Sequence, residues 1–269
     1  MLLLNIKIVS SANARLKIAR NLHSRSGILK QGLFIMEGPR FVHDYMSRGK
    51  PEWVFLSEEA APHSREVAEK ALEYNTEVLE LPGKLFAGIS DTEASQGIAA
   101  ICPLPETDID SIPRKGVFLF LDGIADPGNM GTIIRSAAAF GCSVVIAGKG
   151  SCCPFAPKVT RASAGLNSVV PIEFDTELVS FMKNNADVIE FLGADASGEN
   201  ISNVRPLGSC IGLVIGSEAH GISLEVASHV NRMISIPMAQ GVDSLNAAVS
   251  ASILLYHFTE AGDDSKKYY

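Results

Sequence analysis

Residues 213–221 read Leu-Val-Ile-Gly-Ser-Glu-Ala-His-Gly, an apolar run that ends in a polar loop. Residues 121–135 (Leu-Asp-Gly-Ile-Ala-Asp-Pro-Gly-Asn-Met-Gly-Thr-Ile-Ile-Arg) and 234–248 (Ile-Ser-Ile-Pro-Met-Ala-Gln-Gly-Val-Asp-Ser-Leu-Asn-Ala-Ala) also follow or continue short apolar runs into glycine-containing loops. Ligands of open α/β sheets bind outside the carboxyl ends of the strands, where glycine lets the backbone approach closely. The three loops are therefore predicted to form one site, although each loop alone is also typical of a tight turn.

Short apolar runs alternate with helical patterns on both sides of these loops. Strands are predicted at residues 117–121, 143–147, 188–192, 210–215 and 233–236, and helices at 130–140, 176–185, 223–228 and 244–259. This alternation predicts an α/β domain over residues 116–262. Residues 263–269 are predicted to be a flexible tail.

The first hundred residues show a second, smaller alternation. Strands are predicted at residues 33–36, 53–56 and 77–81, and helices at 10–23, 39–48 and 63–74. The pattern predicts a small α/β domain over residues 1–103 with a largely parallel sheet. Three prolines and three acidic residues lie within residues 103–115 without apolar periodicity. Residues 104–115 are therefore predicted to be a linker.

The composition excludes several classes of protein. Hydrophobic residues make up 46% of the 269, which is enough to bury a core. No apolar run reaches the roughly 18 residues that a membrane span needs. The five cysteines show no spacing typical of a zinc site or a disulfide framework. We therefore expect no metal, no membrane association, and a cytoplasmic protein with reduced thiols.

The net charge of −7 hides an asymmetry along the chain. Residues 1–50 carry 9 basic and 2 acidic side chains, whereas residues 51–100 and 101–269 each carry a net charge of −7. A basic segment attached to an acidic body indicates a polyanionic partner. A solvated basic helix gives the same count, so the charge alone does not decide between the two.

The loops match none of the common phosphate or nucleophile motifs. The chain has no Walker A pattern, no dinucleotide-binding glycine pattern and no nucleophile elbow. This argues against a triphosphate, a dinucleotide or an acyl-enzyme. Backbone groups of residues such as Gly216, Ile236 and Leu245 would suit a neutral purine and an amino-acid zwitterion better.

In order and spacing, the three loops resemble the three motifs of the SpoU (TrmH) family of RNA ribose 2′-O-methyltransferases, in the SPOUT superfamily. The residues that carry the resemblance are Asn129 and Arg135, then Gly216, Glu218 and Gly221, then Ile236-Pro237-Met238, Ser244-Leu245-Asn246 and Ser250. The match covers residues 117–259. The first domain resembles the family's substrate-binding domain, which is similar to the L30e ribosomal-protein fold, in length, alternation and charge.

The resemblance implies a parallel sheet whose C-terminal segment forms a trefoil knot around S-adenosylmethionine. It also implies a homodimer with the site near the subunit interface. The implied cofactor-binding residues are Gly216, Ile236 and Leu245 through their backbone, with Ser217, Met238 and Ala248 in the pocket wall. The residues implied at the reacting ribose are Arg135, Asn129, Glu218, Ser244 and Asn246.

Four of the implied site residues also have an ordinary structural alternative. Asn129 and Ser244 are good helix N-caps, and Glu218 suits a plain loop carboxylate. Arg135 lies away from the apolar stripe of its predicted helix, where a surface ion pair is the alternative. In the family, the matching arginine is proposed to take the proton of the ribose 2′-hydroxyl. Because a guanidinium keeps its proton in proteins, our hypothesis is that Arg135 stabilises the developing alkoxide and positions the adjacent phosphate.

Basic side chains are the predicted RNA contacts. In the first domain these are Arg15, Lys17, Arg20, Arg25, Lys30 and Arg40. By resemblance, Lys158 and Arg161 lie near the active site and join them, with a helix over the sheet or a contact to a partner subunit as alternatives. The predicted reaction is methylation of a ribose 2′-hydroxyl in structured RNA, with ribosomal RNA favoured over transfer RNA. The other readings are a non-catalytic RNA-binding or ribosome-assembly protein with this fold, and a nucleotide-dependent oxidoreductase that binds a nicotinamide.

Overall fold

The computed structural model describes residues 6–260 and divides into two compact units. The first unit runs to Pro105 and includes Phe155–Ser168, and the second comprises Glu106–Pro154 and continues from Val169. The predicted tail, residues 263–269, lies outside the described residues. Within residues 6–260, every helix is too short or too polar to cross a bilayer.

The first unit contains a mixed sheet rather than the largely parallel one that we predicted. Its elements are β1 (Ile6–Lys7), α1 (Ala14–Asn21), α2 (Arg25–Gln31), β2 (Leu33–Glu37), α3 (Pro39–Met46), β3 (Trp53–Ser57), α4 (Pro62–Glu73), β4 (Glu77–Leu81), α5 (Gly83–Ala87) and β5 (Ile98–Pro103). The strand order is β1-β4-β3-β5-β2, and β5 runs antiparallel to both of its neighbours. The prediction missed β5, whose second and third residues are alanines, because alanine is a weak strand former.

The second unit contains the predicted parallel sheet. The elements that follow β5 are β6 (Gly116–Asp122), α6 (Pro127–Ala139), β7 (Val144–Gly148), α7 (Pro157–Ala162), β8 (Ile172–Thr176), α8 (Leu178–Asn185), β9 (Glu190–Asn200), β10 (Cys210–Gly216), α9 (Leu224–Ala227), β11 (Arg232–Ser235) and α10 (Ala247–Glu260). All of these except α7 belong to the second unit. The strand order is β11-β9-β10-β6-β7-β8, and every pairing is parallel.

The centre of the second sheet explains why the functional loops share one edge. β6 and β10 are nearly continuous apolar runs, as expected for parallel strands buried on both faces. The ring centres of Phe120 and Phe191 lie 5.3 Å apart in this core. Because the strands are parallel, the carboxyl ends of β6, β9, β10 and β11 all lie at the same edge.

The predicted linker and the predicted continuous second domain both differ from the structure. Residues 106–115 pack on the second unit: Thr107 Oγ1 donates to the Ile172 carbonyl at 3.0 Å, and Arg114 Nε donates to Asn185 at 3.1 Å. Residues 155–168 pack on the first unit instead, where the Phe155 ring centre lies 5.4 Å from that of Phe34 in β2. Long-range aromatic packing therefore assigns this stretch to a unit from which it is distant in sequence.

Candidate active site

A cavity of about 450 Å³ lies at the carboxyl ends of three adjacent strands of the second unit. Its wall is formed by Ala194–Ala196 of β9, Ile215–Glu218 at the end of β10, Ile234 and Ile236 at the end of β11, and Ser244–Ala247 at the start of α10. Small-molecule sites in proteins have about 300–1,000 Å³, so the cavity is large enough for a cofactor. It lies where parallel α/β sheets bind ligands.

The loop after β10 is a tight turn that glycine makes possible. Ser217 N donates to the Gly221 carbonyl at 3.0 Å, and Gly221 N donates to the Ser217 carbonyl at 2.8 Å. A Cβ atom on Gly216 would lie 2.0 Å from the backbone carbon of Gly221. Gly221 has a φ of +66°, in the left-handed region that favours glycine. Gly216 therefore allows the chain to return across its own strand end and form the cavity wall.

The structure brings together one residue from each of the three predicted loops. Asn246 Nδ2 donates to Asn129 Oδ1 at 2.9 Å and also to Glu218 Oε1. Glu218 Oε1 further accepts a hydrogen bond from Ala247 N at 3.4 Å. Asn129 lies in the first turn of α6, after the first loop, whereas Glu218 lies in the second loop and Asn246 in the third. Hydrogen bonds between these side chains therefore connect the three loops.

Two helix caps differ from the alternatives that the sequence offered. Asp126, not Asn129, caps α6, because its Oδ1 accepts from Asn129 N at 2.7 Å. At α10 the capping side chain is Asn246 rather than Ser244, since its Oδ1 accepts from Ala248 N at 3.0 Å and from Val249 N at 3.2 Å. The Asn129 side chain is consequently not used for capping.

Arg135 is exposed on α6 and forms no hydrogen bond or ion pair with any residue from 6 to 260. The surface ion pair that was its structural alternative is therefore not present in this part of the chain. Arg135 does not line the cavity of its own chain. It lies six residues beyond Asn129, which corresponds to about 9 Å along the helix axis.

The other predicted cofactor residues divide into two groups. Gly216, Ser217, Ile236, Met238 and Leu245 line the cavity, as do Ser244 and Ser250. Ala248 does not line it and is buried, whereas its neighbour Ala247 faces the cavity. The sequence interpretation missed the wall formed by Ala194–Ala196, because no motif marks these residues.

The predicted RNA contacts all lie in the first unit, and several are held by other side chains. Arg15 lies 2.5 Å from Glu77, Arg40 3.9 Å from Asp44 and Arg161 2.8 Å from Asp91, while Arg20 donates to the Ser11 carbonyl at 3.0 Å. Arg25 is half-buried. Lys17, Lys30 and Lys158 are exposed and form no ion pair within residues 6–260. These three lysines have the most freedom to meet a phosphate.

The thiols and potential metal ligands offer no second chemistry near the cavity. Burial raises the pKa of the Cys152 thiol to about 11 and that of Cys142 to about 12, so both are protonated at neutral pH. None of the five cysteines forms a disulfide in the structure as described. No group of three histidine, cysteine or carboxylate side chains in residues 6–260 is placed to hold a metal ion.

Comparison with known proteins identifies the family. A model described as SpoU rRNA Methylase family matches residues 116–256, and a model described as MRM3-like substrate binding domain matches residues 13–100. The chain belongs to the SpoU rRNA methylase family. The predicted family is thus confirmed, as is the predicted substrate-binding domain at the N-terminal side. Every residue that lines the cavity lies within the SpoU match.

One curated relative is similar to this protein along almost the whole chain. The 23S rRNA (guanosine(2553)-2′-O)-methyltransferase RlmP of Bacillus subtilis is 28% identical over 257 residues, which cover 93% of this chain and 98% of the relative. The match includes both units. The similarity therefore extends beyond the cavity to the segments that precede it.

Two solved SpoU-type structures share the fold. The AdoMet-bound rRNA methyltransferase from Sinorhizobium meliloti has a TM-score of 0.82 and 25% identity, with 96% of this chain and 98% of that chain covered. The SpoU methyltransferase AviRb from Streptomyces viridochromogenes, in complex with AdoMet, has a TM-score of 0.81 and 26% identity, with coverages of 93% and 98%. Both of these related proteins hold S-adenosylmethionine.

Proposed function

We propose that this protein transfers a methyl group from S-adenosylmethionine to the ribose 2′-hydroxyl of a nucleotide in ribosomal RNA. The observation that carries the proposal is the junction of Asn129, Glu218 and Asn246 at the cavity, because it unites all three motifs of the family. The B. subtilis relative is named as a ribosomal RNA 2′-O-methyltransferase, which supports the predicted substrate. The enzyme class and the cofactor predicted from the sequence are confirmed by the family and the AdoMet-bound structures.

The residues of the cavity fit the cofactor. The wall offers backbone groups at Gly216, Ile236 and Leu245, and it contains no cationic side chain among residues 6–260. Such a wall suits an uncharged purine and a positively charged sulfonium. When bound, the sulfonium supplies an electrophilic methyl group, so the protein has to provide alignment and electrostatics.

Asn129 is the proposed contact to the substrate. Its Oδ1 is held by Asn246 Nδ2, which fixes the orientation of the amide. Asn129 Nδ2 has no partner within residues 6–260 and remains free to donate to a ribose or phosphate oxygen. Glu218 orients Asn246, so both residues act by positioning the Asn129 amide. These roles form part of the proposal.

A homodimer completes the proposed site. Val249, Ile253 and Tyr256 lie on one face of α10 and are 45%, 36% and 49% exposed. Exposed apolar side chains in a row on one helix face are typical of a subunit contact. α6, which carries the unpartnered Arg135, packs against α10. We therefore infer that α10 forms the dimer contact and that Arg135 serves the cavity of the second copy.

The dimer can be tested at its apolar face. Ile253→Asp places a charge in the proposed contact, and we expect sedimentation equilibrium to give the mass of one chain instead of two. Leu224→Asp is the matched control, because Leu224 is 90% exposed on α9 and lies outside the proposed face. A wild-type mass of one chain, or an Ile253→Asp variant that stays dimeric, would contradict the inference.

The lysines of the first unit are proposed to hold the RNA backbone. For Lys17→Ala and Lys30→Ala, we expect weaker RNA binding and a salt dependence of the binding constant that falls by about one unit of slope per lysine. Lys183→Ala, an exposed lysine on α8 of the second unit, is the control. Filter binding at several salt concentrations measures the slope, and an unchanged slope for both lysines argues against the proposal.

The trefoil knot and the cytoplasmic location remain proposals. β11 lies at the edge of the second sheet, whereas α10, which follows it, packs against the central strands β6 and β10. This return path is compatible with the knot that the resemblance implies, and a crystal structure that traces residues 201–247 would test the threading. Fractionation of cells would test the location.

The proposed function is tested by mapping ribose methylation in ribosomal and transfer RNA by mass spectrometry, with and without this protein. We expect one 2′-O-methylated ribosomal nucleotide to disappear when the protein is absent. If a transfer RNA methylation disappears instead, the substrate is transfer RNA. Identical maps would favour a non-catalytic RNA-binding protein that retains the fold.

A further inference from the structure

β9 leaves the sheet for five residues at the cavity. Gly193 pairs with Met233 and Glu199 pairs with Ile234, so residues 194–198 stand out between two consecutive residues of β11. The bulge is tightly fitted, because a Cβ atom on Gly198 would lie 2.5 Å from Ile234 N. Bulges next to functional sites re-aim side chains. Here the bulge makes Ala194–Ala196 part of the cavity wall.

The bulge holds the carboxylate of Asp195 in one orientation. Asp195 Oδ1 accepts hydrogen bonds from Ser197 N at 2.8 Å and from Ser197 Oγ at 2.6 Å. These two hydrogen bonds lower the pKa of Asp195, so the side chain is negatively charged at neutral pH. Asp195 Oδ2 has no partner within residues 6–260. One carboxylate oxygen is thus fixed by the bulge and the other is available to a ligand.

The charged side chains that line the cavity are negative. Asp195 and Glu218 are the only charged residues in its wall, as far as residues 6–260 are concerned. Glu218 Oε1 already accepts from Asn246 and Ala247. Asp195 is therefore the lining carboxylate that is not engaged by another part of the site.

We propose that Asp195 lets the cavity distinguish the cofactor before methyl transfer from the product after it. The inference rests on the proposed function. Methyl transfer breaks the sulfur–methyl bond, forms the bond from the ribose oxygen to the methyl carbon and releases the hydroxyl proton to solvent. The bonding pair stays on sulfur, so the sulfonium becomes a neutral thioether. S-adenosylmethionine has one positive charge more than S-adenosylhomocysteine, and the carboxylate attracts that charge.

Coulomb attraction sets the size of the expected effect. Asp195 is exposed at the rim of the cavity, so the attraction is screened by water. For a charge pair in such surroundings, the attraction changes a binding constant by up to about fivefold. Methyl transfer removes this attraction, which favours release of the product and binding of a fresh cofactor.

The test measures the affinities of S-adenosylmethionine and S-adenosylhomocysteine by titration calorimetry for the full chain. Asp195→Asn keeps the shape of the side chain and removes the charge. We expect it to bind S-adenosylmethionine about fivefold more weakly and S-adenosylhomocysteine less than about twofold more weakly. Asp187→Asn, which removes an exposed carboxylate just before β9, is the control and should change neither affinity.

The outcomes separate the inference from the proposed function. Equal weakening of both ligands, or no weakening of either, overturns the inference while the proposed function stands. A wild-type protein that binds neither ligand overturns the proposed function and the inference with it. Ser197→Ala removes the hydrogen bond from the hydroxyl that fixes Asp195, and we expect a smaller loss confined to S-adenosylmethionine. Thermal unfolding of each variant checks that the fold is retained.

Discussion

An Arg135→Ala variant is expected to bind S-adenosylmethionine as the wild type does and to lose methyl transfer by at least about 100-fold. The cofactor affinity should persist because Arg135 does not line the cavity of its own chain. Turnover should fall because Arg135 is the proposed stabiliser of the ribose oxygen as it loses its proton. Single-turnover assays with labelled cofactor measure the loss, and calorimetry measures the cofactor affinity.

The exposure of Arg135 favours a role toward a partner molecule. A guanidinium has five N–H donors, and within residues 6–260 no group accepts from those of Arg135. A guanidinium keeps its proton in proteins, so the side chain carries a positive charge. Its chemistry therefore suits a phosphate or a developing alkoxide better than proton abstraction.

Arg135→Lys separates the effect of the paired N–H donors of the guanidinium from the effect of its charge. Lysine keeps the positive charge but cannot form two parallel hydrogen bonds, so we expect less than about a tenth of the wild-type rate. Lys183→Ala is the control for loss of an exposed charge in the same unit and should retain full activity. Near-normal turnover of Arg135→Ala would contradict both the electrostatic role and the role as a base.

The sequence was sufficient to predict the parallel sheet and the edge at which the site lies. The apolar run predicted at 117–121 is β6, Gly116–Asp122, and the run at 210–215 is β10, Cys210–Gly216. Strands buried on both faces have a continuous hydrophobic signal, which makes them easy to locate. The loops that follow β6, β10 and β11 resemble the motifs of the family, so Asn129, Glu218 and Asn246 could be predicted to lie at one site.

The features that the sequence interpretation missed depend on distant contacts. The strand predicted at 188–192 extends to Asn200. Its second half is polar, so the local sequence does not reveal that these residues pair with β11. The bulge that carries Asp195 was missed for the same reason. Residues 155–168 have a local pattern compatible with a helix over either sheet. The packing of Phe155 on Phe34 assigns them to the first unit, and local sequence does not encode that choice.

Gly216→Ala is expected to abolish cofactor binding and to lower the thermal unfolding midpoint. The added methyl carbon would lie 2.0 Å from the Gly221 backbone carbon and 2.2 Å from its carbonyl oxygen. The contacting atoms of Gly221 belong to the backbone, so no change of side-chain rotamer can relieve the contact. The turn must move away from β10, which breaks the two hydrogen bonds between Ser217 and Gly221. Overpacking of this kind costs about 1–3 kcal/mol.

Two other glycines separate the clash from general effects of the substitution. Gly221→Ala adds a methyl group with no atom within 4 Å but at a φ of +66°, so we expect only a backbone cost of about 1 kcal/mol and weakened binding. Gly208→Ala has Cys210 N at 4.0 Å as its nearest atom and should behave as the wild type. The expected order of cofactor affinity is therefore Gly208→Ala, then Gly221→Ala, then Gly216→Ala. A Gly216→Ala protein with wild-type affinity would show that the turn does not form the cofactor wall, because the methyl group and the observed turn cannot occupy the same space.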